Sequence, residues 1–287
     1  MFFAGIPRVA HSGEVNLTAA LVGLVAGVVV GLTSTGGGAL LTPALILFVG
    51  VPPSVAVGSD VFAAAVMKLF AGSAYALRGH VHWGTVLRLA AGSLPGAAAG
   101  IAIVNRLPPH SLDAIVTRGV GGALVLAGAA TLWRLHVKAE PPRTAPPFPV
   151  TAGLGFLVGM LVSLTSVGSG SVLLSVLAMF FPLQAATLVG TDLVHALLLS
   201  SAATVGHLAA GRVDIPLALS VLVGGVPGVI LGARLALSVP ERKLRAGLAF
   251  LLIGLGCHLA WRSGRVPAAP PAAAHPLAAA AAAQERP

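Results

Sequence analysis

Charge is what this sequence lacks most. Only 9% of its 287 residues are charged, 56% are hydrophobic, and mean hydropathy is +0.96. A soluble domain uses about 25% charged residues to cover its surface. This chain cannot cover one, so most of its outer surface must face lipid. Cysteine is nearly absent as well: a lone Cys257 excludes an internal disulfide framework and a thiolate metal site. No metal and no cofactor are expected. Also missing is any basic stripe interleaved with aromatics. The net charge of +9 comes from residues such as Arg78, Arg106, Arg134, Arg212 and Arg262, set singly at the ends of apolar runs. Helix-flanking charges lie there in a bilayer protein, and nucleic acid is excluded as a partner.

Long apolar runs, punctuated by Pro, Gly and charge, make up the rest. Leu17 to Gly50 contains no charge and exceeds the roughly 20 residues that a spanning helix needs. Arg8 and Glu14 precede a stretch too long for a signal-peptide core, so the first helix is expected to stay uncleaved. Segments are predicted at Leu17–Thr33, Ala39–Gly50, Pro53–Leu77, Trp83–Val104 and Leu112–Leu135. A second set follows at Thr151–Thr165, Ser171–Phe181, Leu183–Ala210, Ile215–Leu237 and Arg242–Trp261. The domain reading is an N-terminal segment (1–16), a first transmembrane repeat (17–135), a Pro-rich linker (136–150), a second repeat (151–262), and an Ala/Pro tail (263–287) expected to be disordered.

The second segment of each set is too short to cross. Twelve helical residues reach roughly 18 Å against a hydrocarbon core of about 30 Å. Each is joined to its predecessor by a glycine-rich break, Gly31-Leu-Thr-Ser-Thr-Gly-Gly-Gly38 and Ser163-Leu-Thr-Ser-Val-Gly-Ser-Gly170. The breaks start 132 positions apart (163 − 31), and the offset holds beyond them. Gly58-Ser-Asp60 falls on Gly190-Thr-Asp192, Gly79-His-Val81 on Gly211-Arg-Val213, and Gly92-Ser-Leu-Pro-Gly96 on Gly224-Gly-Val-Pro-Gly228. Paired broken helices in two repeats are the pattern of secondary transporters. The predicted fold is an all-α polytopic membrane protein with two homologous repeats, each a broken helix pair plus three spanning helices. If each break turns the chain back, the repeats are inverted; if the chain passes straight through, they are parallel. Inverted repeats are favoured because they bring both breaks to one centre.

Where a helix restarts after glycine, its first N–H groups lack intrahelical partners and carry partial positive charge. An anion can bind there without a charged side chain. The predicted substrate-binding residues are Thr33, Ser34, Gly36, Gly37 and Gly38 in the first break and Thr165, Ser166, Gly168, Ser169 and Gly170 in the second. Lys68 joins them, because no other charge lies within seven residues of it and a cation in an apolar segment must face the protein interior. Asp60, roughly 12 Å earlier on the same helix, shares its broad face. In the second repeat Ser200 replaces Lys68, while Asp192, His195 and His207 fall on the corresponding helix. These four ionisable residues (Asp60, Asp192, His195 and His207) form the expected polar core, and a carboxylate beside an imidazole can relay protons. A packing role for the glycines and a satisfied core role for each histidine are the structural alternatives.

At these residues the chain resembles the TauE/SafE family of sulfite-exporter-like permeases. The likeness runs from about Val22 to Trp261 and rests on Leu32–Pro43, Val57-Gly-Ser-Asp60, Lys68, Gly79-His-Val-His-Trp83 and Gly92–Gly96. In the second half it rests on Leu164–Gly170, Val189–His195, Gly211-Arg-Val-Asp214 and Gly224–Gly228. One departure is His82, which stands where the family often has Asp before the Trp. The resemblance implies an ion-coupled carrier of sulfite, a sulfonate or another small organic anion, with protons as candidate coupling ions. A passive channel is the main alternative. An intramembrane hydrolase built on Ser169, His195 and His207 is disfavoured, because the motif of rhomboid-type proteases has glycine two residues before the serine, where this chain has Val167.

Overall fold

A computed structural model describes residues 16–33, 38–136, 144–235 and 241–263. Residues 1–15 of the expected N-terminal segment, 137–143 of the linker and 264–287 of the tail lie outside the described residues. Ten helices follow in order: α1 (Leu17–Thr33), α2 (Gly38–Ala44), α3 (Pro53–Leu77), α4 (Trp83–Arg106), α5 (Pro109–His136), α6 (Phe148–Thr165), α7 (Ser171–Phe180), α8 (Ala185–Ala209), α9 (Ile215–Leu235) and α10 (Glu241–Ser263). α2 runs on into a π-turn, Leu45–Val49, which ends at Gly50. Seven of these helices are long and apolar enough to cross a membrane, and α1 and the α2–π segment are shorter apolar pieces. Every described boundary falls within three residues of the one predicted. α6 starts three residues earlier, at Phe148, because Pro147 stands at its N-cap and Pro149 in its first turn, where a missing N–H costs nothing.

Two helices lie unusually close to two others. A Cβ added at Gly92 of α4 would stand 1.8 Å from Ala152 O of α6, and one at Gly224 of α9 would stand 1.8 Å from Ala20 O of α1. Such approach needs residues without side chains at the seam. The seams continue in step: Gly96 meets Phe156, Gly100 meets Met160, Gly228 meets Leu24, and Gly232 meets Val28. Residue numbers rise together, so α4 and α6 run parallel, as do α1 and α9. α3 and α8 run the other way, since Lys68 touches Ser200, Gly72 meets Val194, and Tyr75 meets Gly190. α5 and α10 are also antiparallel, with Gly121 against Gly256 and Gly128 against Ala249.

The ends of α3 and α8 are built alike. α3 closes through Gly79 N–H to Ala76 O and His80 N–H to Tyr75 O, with Gly79 at φ 73°. α8 closes through Gly211 N–H to Leu208 O and Arg212 N–H to His207 O, with Gly211 at φ 66°. Both are glycine-terminated Schellman ends, which only a residue free of Cβ strain forms cheaply. The following loops then cross over. His82 N–H donates to Thr191 Oγ1 near the start of α8, and Asp214 N–H donates to Ser59 Oγ near the start of α3. His82 caps α4 by accepting Thr85 N–H at Nδ1, just as Asp214 accepts Leu217 N–H at the start of α9. A neutral imidazole nitrogen thus replaces the carboxylate oxygen at this cap.

Candidate functional site

The break after α6 has a local cause. Thr165 Oγ1 donates to Leu161 O at 2.6 Å and accepts Val167 N–H at 3.2 Å, which pulls Val167 out of the helical pattern. Ser166 (φ 60°), Gly168 (φ 122°) and Gly170 (φ 111°) then turn the chain. In a continuing helix Ser163 O would receive the Val167 N–H; here it accepts from His207 Nε2 at 2.9 Å. A carbonyl can only accept, so this bond fixes the Nε2–H tautomer of His207. α7 begins at Ser171 with no side-chain cap, and Leu173 N–H donates to Gly168 O at 3.1 Å, so the backbone of the break caps part of the first turn.

Lys68 reaches this break from α3. Its Nζ donates to Ser169 Oγ at 2.8 Å and to Ser200 Oγ at 3.1 Å, and the residue is only 4% exposed. Both bonds go to neutral hydroxyls, and an ammonium has a third donor. The charge is therefore solvated by dipoles and not cancelled by a bonded carboxylate. Asp192 and, more weakly, Asp60 act on it through space. Asp60 is fully buried; Oδ2 accepts from Thr42 Oγ1 of α2, and Ser166 lies beside it. Asp192 Oδ1, Asp60 Oδ1 and His195 Nδ1 have no hydrogen-bond partner among the described residues. His195 Nε2 lies 2.8 Å from Ser93 Oγ of α4, and its ring stands within reach of the Lys68 charge.

Lys68, Asp60, Ser166, Ser169, Asp192 and His195 therefore gather around the second break, with Gly168 and Gly170 shaping its backbone. Thr165 and His207 hold the break itself. Thr33 and Gly38 are the ends of α1 and α2, and Ser34, Gly36 and Gly37 lie outside the described residues. Two members were missed from sequence, Thr42 and Ser93. Ser93 lies inside the Gly92–Gly96 motif, so a signal existed there. Thr42 lies inside the Leu32–Pro43 motif in the same way, although neither motif names the partner its hydroxyl meets.

Charge-poor helices packed around a buried polar centre define an integral, multi-pass helical membrane protein. The family described as Sulfite exporter TauE/SafE matches residues 19–259, and the chain belongs to it. It is 35% identical over 248 residues to the "Probable membrane transporter protein YjnA" of Bacillus subtilis (strain 168), covering 83% of this chain and 97% of that protein. A "Probable membrane transporter protein" of Xylella fastidiosa (strain Temecula1 / ATCC 700964) is 27% identical over 242 residues, covering 83% of this chain and 92% of that protein. No solved structure matches.

Proposed function

We propose that the chain is a secondary transporter that carries a small anion, such as sulfite, a sulfonate or a small carboxylate, across the membrane with protons as the coupling ion. Membership of the family and the transporter names of its relatives support the general reading. The observation that carries the rest is Lys68: a buried ammonium held by two hydroxyls beside the start of α7, which has no side-chain cap, with a third donor for a ligand. An anion there meets positive charge from both the side chain and the helix end.

Protons enter through charge balance. With both carboxylates ionised, one cation and two anions leave a net charge of −1, and a monovalent substrate makes it −2. A buried site does not tolerate such a charge without neutralisation. Protonating Asp192 and Asp60 removes it, so anion arrival and proton uptake favour each other. His195, beside Lys68 and bonded to Ser93, offers a route for the proton. In this reading the halves are inverted repeats that move about the central site. Opposed directions of α3 and α8, and of α5 and α10, support inversion.

The test is uptake into proteoliposomes of sulfite, thiosulfate, sulfonates and small carboxylates under several imposed pH gradients. Saturable uptake of at least one anion should follow the gradient. Asp192→Asn should keep anion-for-anion exchange and lose the gradient response. A wild-type pH slope in Asp192→Asn would remove the coupling role, and currents far above carrier turnover would make the protein a channel.

A further inference from the structure

The C-terminal half of α8 carries polar groups that the central site does not use. Ser200, Thr204 and His207 stand at four- and three-residue spacing, so they lie within about 60° of one another on the helix and span roughly 10 Å of its length. Ser200 meets Lys68 at the inner end. His207 Nε2 donates to Ser163 O, which leaves Nδ1 as an acceptor. Past the helix end, Arg212 donates from Nη2 to Val104 O of α4 at 3.4 Å, and a Cβ added at Gly58 of α3 would meet both Arg212 O and His207 Cβ. Thr204 Oγ1, His207 Nδ1 and Arg212 Nη1 are all sealed from solvent, and none has a hydrogen-bond partner among the described residues. Buried polar side chains are otherwise nearly always paired. Three orphaned atoms in succession along one face call for a single explanation.

We propose that this face of α8 lines the anion's access route between Lys68 and the membrane surface at the end of α8, and that the route is shut in this conformation. A shut route accounts for the orphaned atoms: water pairs with them while the helices stand apart and is expelled when they close, at a cost in free energy. The groups also suit an anion. Arg212 at the outer end and Lys68 at the inner end are cations, and Arg212 Nη1 and the Thr204 hydroxyl offer donors between them. Asp113 acts on Arg212 through space, while its Oδ1 accepts Ser54 N–H. The other half of the duplication lacks this lining. The residues 132 positions before Thr204, His207 and Arg212 are Gly72, Tyr75 and His80, and none of them leaves a buried side-chain atom unpaired. Gly72 packs against Val194, and Tyr75 and His80 pack against Gly190. The polar route therefore leads to one membrane surface only.

The inference rests on the transport reading for what moves, but the route can be tested without a transported substrate. In the full chain, with the exposed Cys257 changed to Ser and the protein in liposomes, Thr204→Cys is treated with the anionic reagent 2-sulfonatoethyl methanethiosulfonate and with its cationic trimethylammonium counterpart. The anionic reagent should label Thr204→Cys from one side of the membrane, and faster than the cationic one. Adding Arg212→Gln should slow that labelling at least roughly tenfold, the effect of one charged hydrogen bond. Val205→Cys, one residue on and 67% exposed on the outside of the bundle, should stay unlabelled. Thr204→Val gives a second reading, since it keeps the shape and removes the orphaned hydroxyl. It should favour the shut state, so the thermal midpoint holds or rises while anion uptake slows; a hydroxyl that only supported the fold would lower both. The route is overturned if Thr204→Cys labels no faster than Val205→Cys, or if both reagents label it at one rate. Should Thr204→Cys fail to fold, a lowered midpoint in Thr204→Val overturns it instead. One-sided labelling with no uptake of any anion would leave the route standing and count against the transport reading alone.

Discussion

Replacing Lys68 by Met keeps the length of the side chain and deletes its charge, so folding and binding can be weighed separately. On the folding side two terms oppose. Removing a cation from the apolar interior relieves at least about 2.5–3.5 kcal/mol. Losing the bonds to Ser169 and Ser200 forfeits about 1.5–3 kcal/mol each. The freed Ser200 hydroxyl can turn back to the carbonyl one turn earlier in α8, which recovers part of that loss. The net is a destabilisation of roughly 0–3 kcal/mol. On the binding side only one term matters. An anion about 4 Å from the ammonium, at an effective dielectric constant of about 20, loses about 4 kcal/mol, or roughly a thousandfold in Kd. Binding should therefore suffer far more than folding. Thermal unfolding and equilibrium anion binding, measured on the same nanodisc samples, would show a midpoint moved by a few degrees and an affinity nearly abolished. Lys68→Arg should fall between, with charge kept and geometry lost. Wild-type affinity in Lys68→Met, or a loss only in proportion to unfolded protein, would refute the role given to this residue.

Gly92→Ala and Gly224→Ala each drive a Cβ against a carbonyl 1.8 Å away on a neighbouring helix. The neighbour is backbone and cannot turn aside, so each should destabilise by more than the usual 1–3 kcal/mol of overpacking. Gly122→Ala, which meets nothing within 4 Å, should be neutral or slightly stabilising in the same melting assay. His207→Phe leaves Ser163 O without its donor, and the thermal midpoint should drop by an amount matching about 1–3 kcal/mol. His207→Gln, which restores an N–H, should recover much of that loss; equal loss in both variants would show that packing alone matters there.

The helices were legible because their causes are local. Charge-free runs of fixed length, Pro at first turns and Gly at ends mark boundaries without knowledge of what packs where, and Gly79 and Gly211 show how directly. The second break was legible for the same reason, since Thr165, Gly168 and Gly170 act on their own backbone. Lys68 was legible through cost: an isolated cation in an apolar segment has to be housed. What stayed hidden was partnership across helices. Nothing in the spacing of α3 says that Asp60 meets Thr42, or that His195 meets Ser93, because those bonds depend on the crossing of α2 and α4 over it and α8. Asp192, His195 and His207 share one helix, which says nothing of the neighbours each one meets. Contacts divide them, giving His207 to the α6 carbonyl and His195 to α4.

The bond between Lys68 and Ser200 joins two positions 132 apart, the same offset that separates the two breaks. Under the duplication proposed above, these are one ancestral position meeting itself across a pseudo-two-fold axis. Two separate copies of a single half would have had to place the same residue on both sides. Lysine facing lysine at hydrogen-bond distance would set two buried cations against each other, while serine facing serine would leave no charge at all. Only halves that differ in sequence let one side keep the ammonium and the other supply a hydroxyl to hold it. In that reading a shared chain does more than fix the halves in register: it permits an ion site that two identical copies could not build.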